Sequence, residues 1–78
     1  MVHTLKCWPQ YFHNVKNGTK TFEVRVNDRG FQNGDSVVLR EWCPTAECYT
    51  AEEPLRFKIG YVLPIDDKRV VFSLLEMS

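Results

Sequence analysis

Two cations and a carboxylate fall within one short stretch, Lys20-Thr21-Phe22-Glu23-Val24-Arg25, and a third cation, Arg29, follows in the turn Asn27-Asp28-Arg29-Gly30. Lysine and arginine make charge-assisted hydrogen bonds to phosphate or carboxylate oxygens. A carboxylate set among them accepts from a base amino group or positions an arginine. Strand side chains alternate, so Thr21, Glu23 and Arg25 share one face while Lys20, Phe22, Val24 and Val26 share the other. The stretch reads either as the charged edge of a ligand cleft or as a half-buried strand. In the second case Glu23 and Arg25 are a solvated same-face pair that contributes little.

Other residues extend the first reading. Lys6 and Arg40 are further candidates for phosphate contact, and Trp8, Tyr11 or Trp42 could stack on an unpaired base. Trp8 and Tyr11 equally suit packing between a helix and a sheet, where aromatic side chains bury large areas. Arg40 and Glu41 point to opposite faces of their strand and are not a pair. His3, in register with Leu5, reads as a hydrogen-bonded structural histidine, and His13 as a surface residue. Cys43 and Cys48 lie in one loop and form only a weak zinc pattern, with no CxxC knuckle or paired-histidine spacing. The expectation is that no metal or cofactor is bound.

These residues need elements to hold them. Val2 to Cys7 alternates as a first strand, and Trp8-Pro9 then opens a helix from about Pro9 to Asn17 with Tyr11, Phe12 and Val15 at helical spacing. Gly18 ends it in the left-handed role that glycine fills without a Cβ penalty. A second strand runs from about Lys20 to Val26. Two turn signals, Asn27-Asp28-Arg29-Gly30 and Gln32-Asn33-Gly34-Asp35, then bracket Phe31 as an apolar anchor. Ser36 to Trp42 is the third strand, with Val37, Leu39 and Glu41 opposite Val38, Arg40 and Trp42. Cys43 to Pro54 is an irregular hairpin connection in which Tyr49-Thr50 extends the pairing. Leu55 to Leu63 is the fourth strand, bulged at Gly60, with Leu55, Phe57, Ile59 and Tyr61 opposite Arg56, Lys58, Gly60 and Val62. Arg69 to Leu75 is the last. The fold class is mainly β with one helix (α+β), and five strands with a helix after the first are expected to close into a small barrel.

Composition sets outer bounds. Seventy-eight residues make a single domain over 1–78, with a modest core. Ten basic and ten acidic residues cancel, so no bulk positive field draws in polyanions and any nucleic-acid role needs a local patch. The sequence has no apolar run long enough to span a bilayer and no secretory h-region, and its three cysteines suit reduced thiols. A cytoplasmic monomer without membrane contact is expected.

The run His3-x-Leu5-Lys6, Pro9-x-Tyr11-Phe12, Gly18-x-Lys20-x-Phe22-Glu23-x-Arg25-x-Asn27-Asp28-Arg29-x-Phe31, Gly34-Asp35 and Leu39-Arg40-Glu41-Trp42 resembles small ASCH-like proteins of the PUA-like superfamily. Within these it resembles the short bacterial and phage domain-of-unknown-function 3850 family. The resemblance covers nearly the whole chain. It implies a compact β-barrel with a cleft beside the helix, and it puts Gly18, Lys20, Glu23 and Arg25 at that cleft, with Arg29 and Arg40 at further polar positions. The superfamily spans RNA binders, modified-base readers and amidohydrolases acting on modified nucleosides. Relatives that hydrolyse acylated cytidine carry a threonine nucleophile where this chain has Glu23, and a carboxylate cannot replace that hydroxyl. Thr21 is the nearest alternative nucleophile.

The leading expectation is therefore a binding module for RNA or a modified nucleotide, through Lys6, Lys20, Glu23, Arg25, Arg29, Arg40 and Trp42. A small amidohydrolase with Lys20 and Glu23 as its polar catalytic pair is the alternative. A third reading is a phage or bacterial adaptor that meets a host protein through the loop from Glu41 to Pro54. On the cleft reading, Lys20 and Arg25 can be removed with little loss of stability, whereas Phe22 and Phe31 are expected in the core.

Overall fold

The alternation of the first residues is realised as strand β1 (Val2–Cys7), which buries His3, Leu5 and Cys7 and exposes Val2, Thr4 and Lys6. A computed structural model describes residues 1–77. Trp8 stays extended and Pro9 opens helix α1 (Pro9–Lys16), where an amide would have had no intrahelical partner anyway. The helix buries Phe12 and Val15. Gly18, at φ 83°, then turns the chain out of the helix.

Lys20 still belongs to this exit, because its amide donates to the Asn14 carbonyl at 2.9 Å. The second strand therefore starts later than its sequence pattern suggests, as β2 (Phe22–Val26). The remaining strands are β3 (Ser36–Cys43), β4 (Cys48–Tyr49), β5 (Leu55–Pro64) and β6 (Arg69–Glu76). Among the described residues the short β4 makes the count six rather than about five. It forms because residues 44–47 turn the chain back so that Trp42 faces Tyr49 and Cys43 faces Cys48.

The sheet runs in the order β1-β3-β5-β6-β2, with β4 paired to β3 off this path. β1 and β3 are parallel, and the other neighbours are antiparallel. Among the described residues no ladder joins β1 to β2. The sheet is open, and the barrel expected from the strand count is not closed by backbone pairing. Two guanidinium groups cross the seam instead: Arg25 Nη2 donates to the Lys6 carbonyl at 3.0 Å, and Arg29 Nη1 donates to the Thr4 carbonyl at 3.2 Å. Carbonyls of an edge strand need a donor, and here side chains from the opposite edge supply it.

The bulge at Gly60 reverses the phase of β5. Ile59 points inward, Tyr61 is exposed, and Val62 packs against the core, so the face assigned to Tyr61 and Val62 by simple alternation is corrected. Gly60 is buried, and a Cβ there would collide with Ser73 Oγ. That hydroxyl accepts the Tyr61 amide at 2.8 Å.

The core gathers Phe12, Val37, Leu39, Ile59, Phe72 and Phe31 between the helix and the inner face of the sheet. His3 is the structural histidine the sequence suggests. Its Nε2 lies 2.9 Å from Asp35 Oδ2, and its ring meets Phe31 edge-on at 4.7 Å. The contrary case is β2, whose inward residue is Glu23 while Phe22, Val24 and Val26 are 45%, 43% and 54% exposed. Phe22 is therefore no core residue. Among the described residues no helix is long and apolar enough to cross a membrane.

Candidate functional site

A cleft of about 560 Å³ opens at the upper end of the seam, between the start of α1 and β2. Cys7 and Glu23 are its buried residues, Trp8 and Tyr11 form the helix-side wall, and Val24 lies across from them. Lys6, Lys20 and Arg25 supply its cations. The local sequence explains the placement. Pro9 starts the helix immediately after β1, and Gly18 returns the chain, so the residues flanking both turns meet at one mouth.

Glu23 is 2% exposed, and both its oxygens are engaged. Lys20 Nζ lies 3.0 Å from Oε1, and Arg25 brings Nε and Nη2 each to 2.9 Å of Oε2. The solvated-pair reading of Glu23 and Arg25 is thereby overturned. Strict alternation puts Lys20 opposite Glu23, but Lys20 precedes the strand and is free of its pleat, so its side chain can turn back. One buried carboxylate with two cations leaves the cleft with positive charge, to which Lys6 adds. The Lys20 ammonium also sits 5.3 Å from the centre of the Tyr11 ring and 5.5 Å from that of Phe22.

Cys7 is the one cysteine in the cleft wall. Burial, with the Glu23 charge next, pushes its thiol up to about 11, which leaves it a poor nucleophile near neutral pH. Thr21 is exposed and does not line the cleft, and its carbonyl accepts the Leu74 amide at 3.0 Å.

Arg29 lies outside the cleft in a neighbouring depression of about 380 Å³, which shares Val24 and Arg25 with it and also includes Arg69. Arg40 and Trp42 sit elsewhere again, on the outer face of β3. Lys6 connects the two places, lining the cleft while its Nζ stands 3.9 Å over the Trp42 ring. Arg40 stacks 3.7 Å over Tyr49, which meets Trp42 edge-on at 5.1 Å. Cys43 and Cys48 face each other across the hairpin, and among the described residues no group of three metal-ligating side chains is assembled.

Two features escaped the sequence reading. Glu41 is buried, with Oε1 accepting the Thr50 hydroxyl at 2.7 Å and Oε2 lying 3.1 Å from Nε2 of His13. That second approach has poor hydrogen-bond geometry, and His13 is the exposed residue the sequence suggests, standing beside a buried carboxylate. The signal available was Glu41 in phase with Val37 and Leu39. Asp35, the partner of His3, gave no signal beyond its turn context.

An open, mainly β sheet with one helix laid over its inner face and a cationic cleft at its seam defines the class. The family model described as a domain of unknown function, DUF3850, matches residues 2–74, and the chain belongs to that family. It is also similar to an uncharacterized 12.9 kDa protein in the GpA 3′ region of Escherichia phage P2, with 39% identity over 41 residues. That alignment covers 53% of this chain, and it spans 38% of the phage protein.

Proposed function

We propose that the chain is a binding module for RNA or a modified nucleotide, and that the ligand's base enters the cleft at Trp8 and Tyr11. The observation that carries this reading is Glu23 held by Lys20 and Arg25 beneath an aromatic wall. The carboxylate orients the two cations, and its Oε1, which meets only Lys20, keeps a lone pair for a base amino group. The cations favour the phosphate that a nucleotide brings. The aromatic side chains offer the stacking surface on which unpaired bases are held.

The binding role asks less of these residues than hydrolysis does. An amidohydrolase of a modified nucleoside would need an activated nucleophile. Thr21 does not line the cleft, and the Cys7 thiol is protonated near neutrality. We further propose membership of the ASCH-like branch of the PUA-like superfamily, with the Arg25 and Arg29 contacts to β1 serving the purpose of barrel closure.

The test is an NMR titration of the labelled protein with nucleosides, nucleotides and short RNA and DNA strands. Shifts clustered on the amides from Gly18 to Arg25 and at Trp8 support the reading, and product peaks in the ligand spectra move it to hydrolysis. A panel that leaves these amides unmoved overturns it.

A further inference from the structure

The outer face of β1, β3 and β5 carries Lys6, Arg40, Arg56 and Lys58. The only acidic residue in these three strands, Glu41, is buried on the inner face. The ladder places the four cations on one bent path, first across β1 and β3 and then down β5. Lys6 is the register partner of Arg40, Arg56 pairs with Val38 two residues further down β3, and Lys58 pairs with Ser36 two residues beyond that. Adjacent strands are about 4.8 Å apart and successive same-face residues about 6.6 Å, so this is a continuous track rather than scattered charge.

Among the described residues, no carboxylate lies within 4 Å of any of the four track cations. Lys16, Lys20, Arg25 and Arg69, by contrast, all have carboxylates within that distance. The chain carries no net charge, so the track results from segregation. Two of its members are also held in place without spending their donors. Arg40 stacks on Tyr49 and Lys6 on Trp42, contacts made through the cation's attraction to a ring face, which leave N–H groups free for phosphate oxygens.

We propose that this face is the path of a single-stranded polynucleotide: the base in the cleft belongs to a longer strand, whose flanking phosphates run from Lys6 over Arg40 to Arg56 and Lys58. The inference rests on the cleft being a base site, and it makes the ligand a strand rather than a free nucleoside. Lys6 is the joint, since it lines the cleft and begins the track. A strand is favoured over a duplex because only an unpaired base can enter the cleft while its backbone follows the sheet.

The test compares the wild type with Arg56→Gln/Lys58→Gln and with Arg40→Gln. The probes are a short single-stranded RNA of mixed sequence, its duplex, and a nucleoside monophosphate, each measured across a salt series. Arg56 and Lys58 are exposed and outside the cleft, and unchanged thermal melting establishes that the double variant folds. The slope of log affinity against log salt for the single strand is expected to flatten by about 0.7 per phosphate contact removed, hence about 1.4 in the double variant. Monophosphate binding should be unaffected. If the monophosphate binds and both variants keep the wild-type slope on RNA, the path is wrong and the cleft reading survives. Duplex binding as tight as single-strand binding also overturns the path, and failure of every probe to bind overturns both.

Discussion

Arg25 grips Glu23 with two nitrogens at 2.9 Å, and the same Nη2 donates to the Lys6 carbonyl at 3.0 Å. One side chain therefore neutralises a buried carboxylate and links the two edges of an open sheet. Removing it leaves Glu23 with Lys20 alone and an edge carbonyl without a protein donor. Breaking a buried pair from one side costs about 3–5 kcal/mol, and the lower end applies because Arg25 is partly exposed and water can enter. This geometry argues against the sequence-based expectation that Arg25→Ala abolishes binding with little loss of stability. In urea, Arg25→Ala should lose stability heavily, and adding Glu23→Gln should restore part of it. A double variant whose loss equals the sum of the single losses would show that the two residues are not coupled.

The two phenylalanines of the signature stretch should behave oppositely. Phe31 is buried between His3 and Phe72, with ring centres 4.7 and 4.9 Å away, so Phe31→Ala should cost about 3–5 kcal/mol. That approaches the whole stability of a small domain. Phe22 faces outward on an edge strand, and its truncation should cost no more than about 1 kcal/mol. Chemical denaturation of both variants decides it, and equal losses would place Phe22 in a buried contact.

The contrast shows what the sequence could and could not convey. The helix was legible because Pro9 and Gly18 bracket a clear helical period, and β1 and β3 because their alternation is clean. The charged cluster at Lys20, Glu23 and Arg25 was legible as types and spacing. Its direction was not, since β2 alternates charged against apolar residues and the rule that apolar faces turn inward gives the wrong answer there. A carboxylate with two cations can occupy the inner face, which frees Phe22, Val24 and Val26 to lie outside. Nor can one strand's pattern report a partner from far along the chain. The Arg25 contact to Lys6, the His3 contact to Asp35 and the lining up of Arg40 with Arg56 and Lys58 all arise from strand order.

Asp35 gives the fold an acid sensitivity of known sign. His3 above all, with the Gln32 amide and the N-terminal amine, holds its carboxyl below the usual aspartate range. A carboxyl depressed in the folded state stabilises fully above its unfolded value, near 3.8, and loses that contribution as pH falls through the folded value. Asp66 is depressed in the same direction by the Lys68 and Arg69 amides, so some acid dependence survives without Asp35. Melting curves of the wild type and Asp35→Asn should converge as the pH drops below about 4. A stability gap that stays constant into strong acid would remove Asp35 as a source.

The three cysteines should separate by reactivity, because their surroundings differ in the property that governs thiol chemistry. Cys48 is exposed, Cys43 is partly buried with Sγ accepting the Ala46 amide at 3.4 Å, and Cys7 is enclosed in the cleft wall beside Glu23. Alkylation proceeds through the thiolate, and the Cys7 thiol is pushed up to about 11 by burial first and the Glu23 charge second. The sign follows for stability as well: protonated Cys7 contributes fully below the unfolded value of 9.0, and this is lost as pH rises towards 11. Peptide mapping by mass spectrometry during iodoacetamide treatment near neutral pH should show Cys48 labelled first and Cys43 next. Cys7 should react only at the rate of unfolding, and Arg25→Ala should accelerate it by loosening the seam above it. Rapid labelling of Cys7 in the folded wild type would mean that the cleft admits reagent and supports a thiolate, and nucleophilic chemistry at this site would then regain a candidate residue.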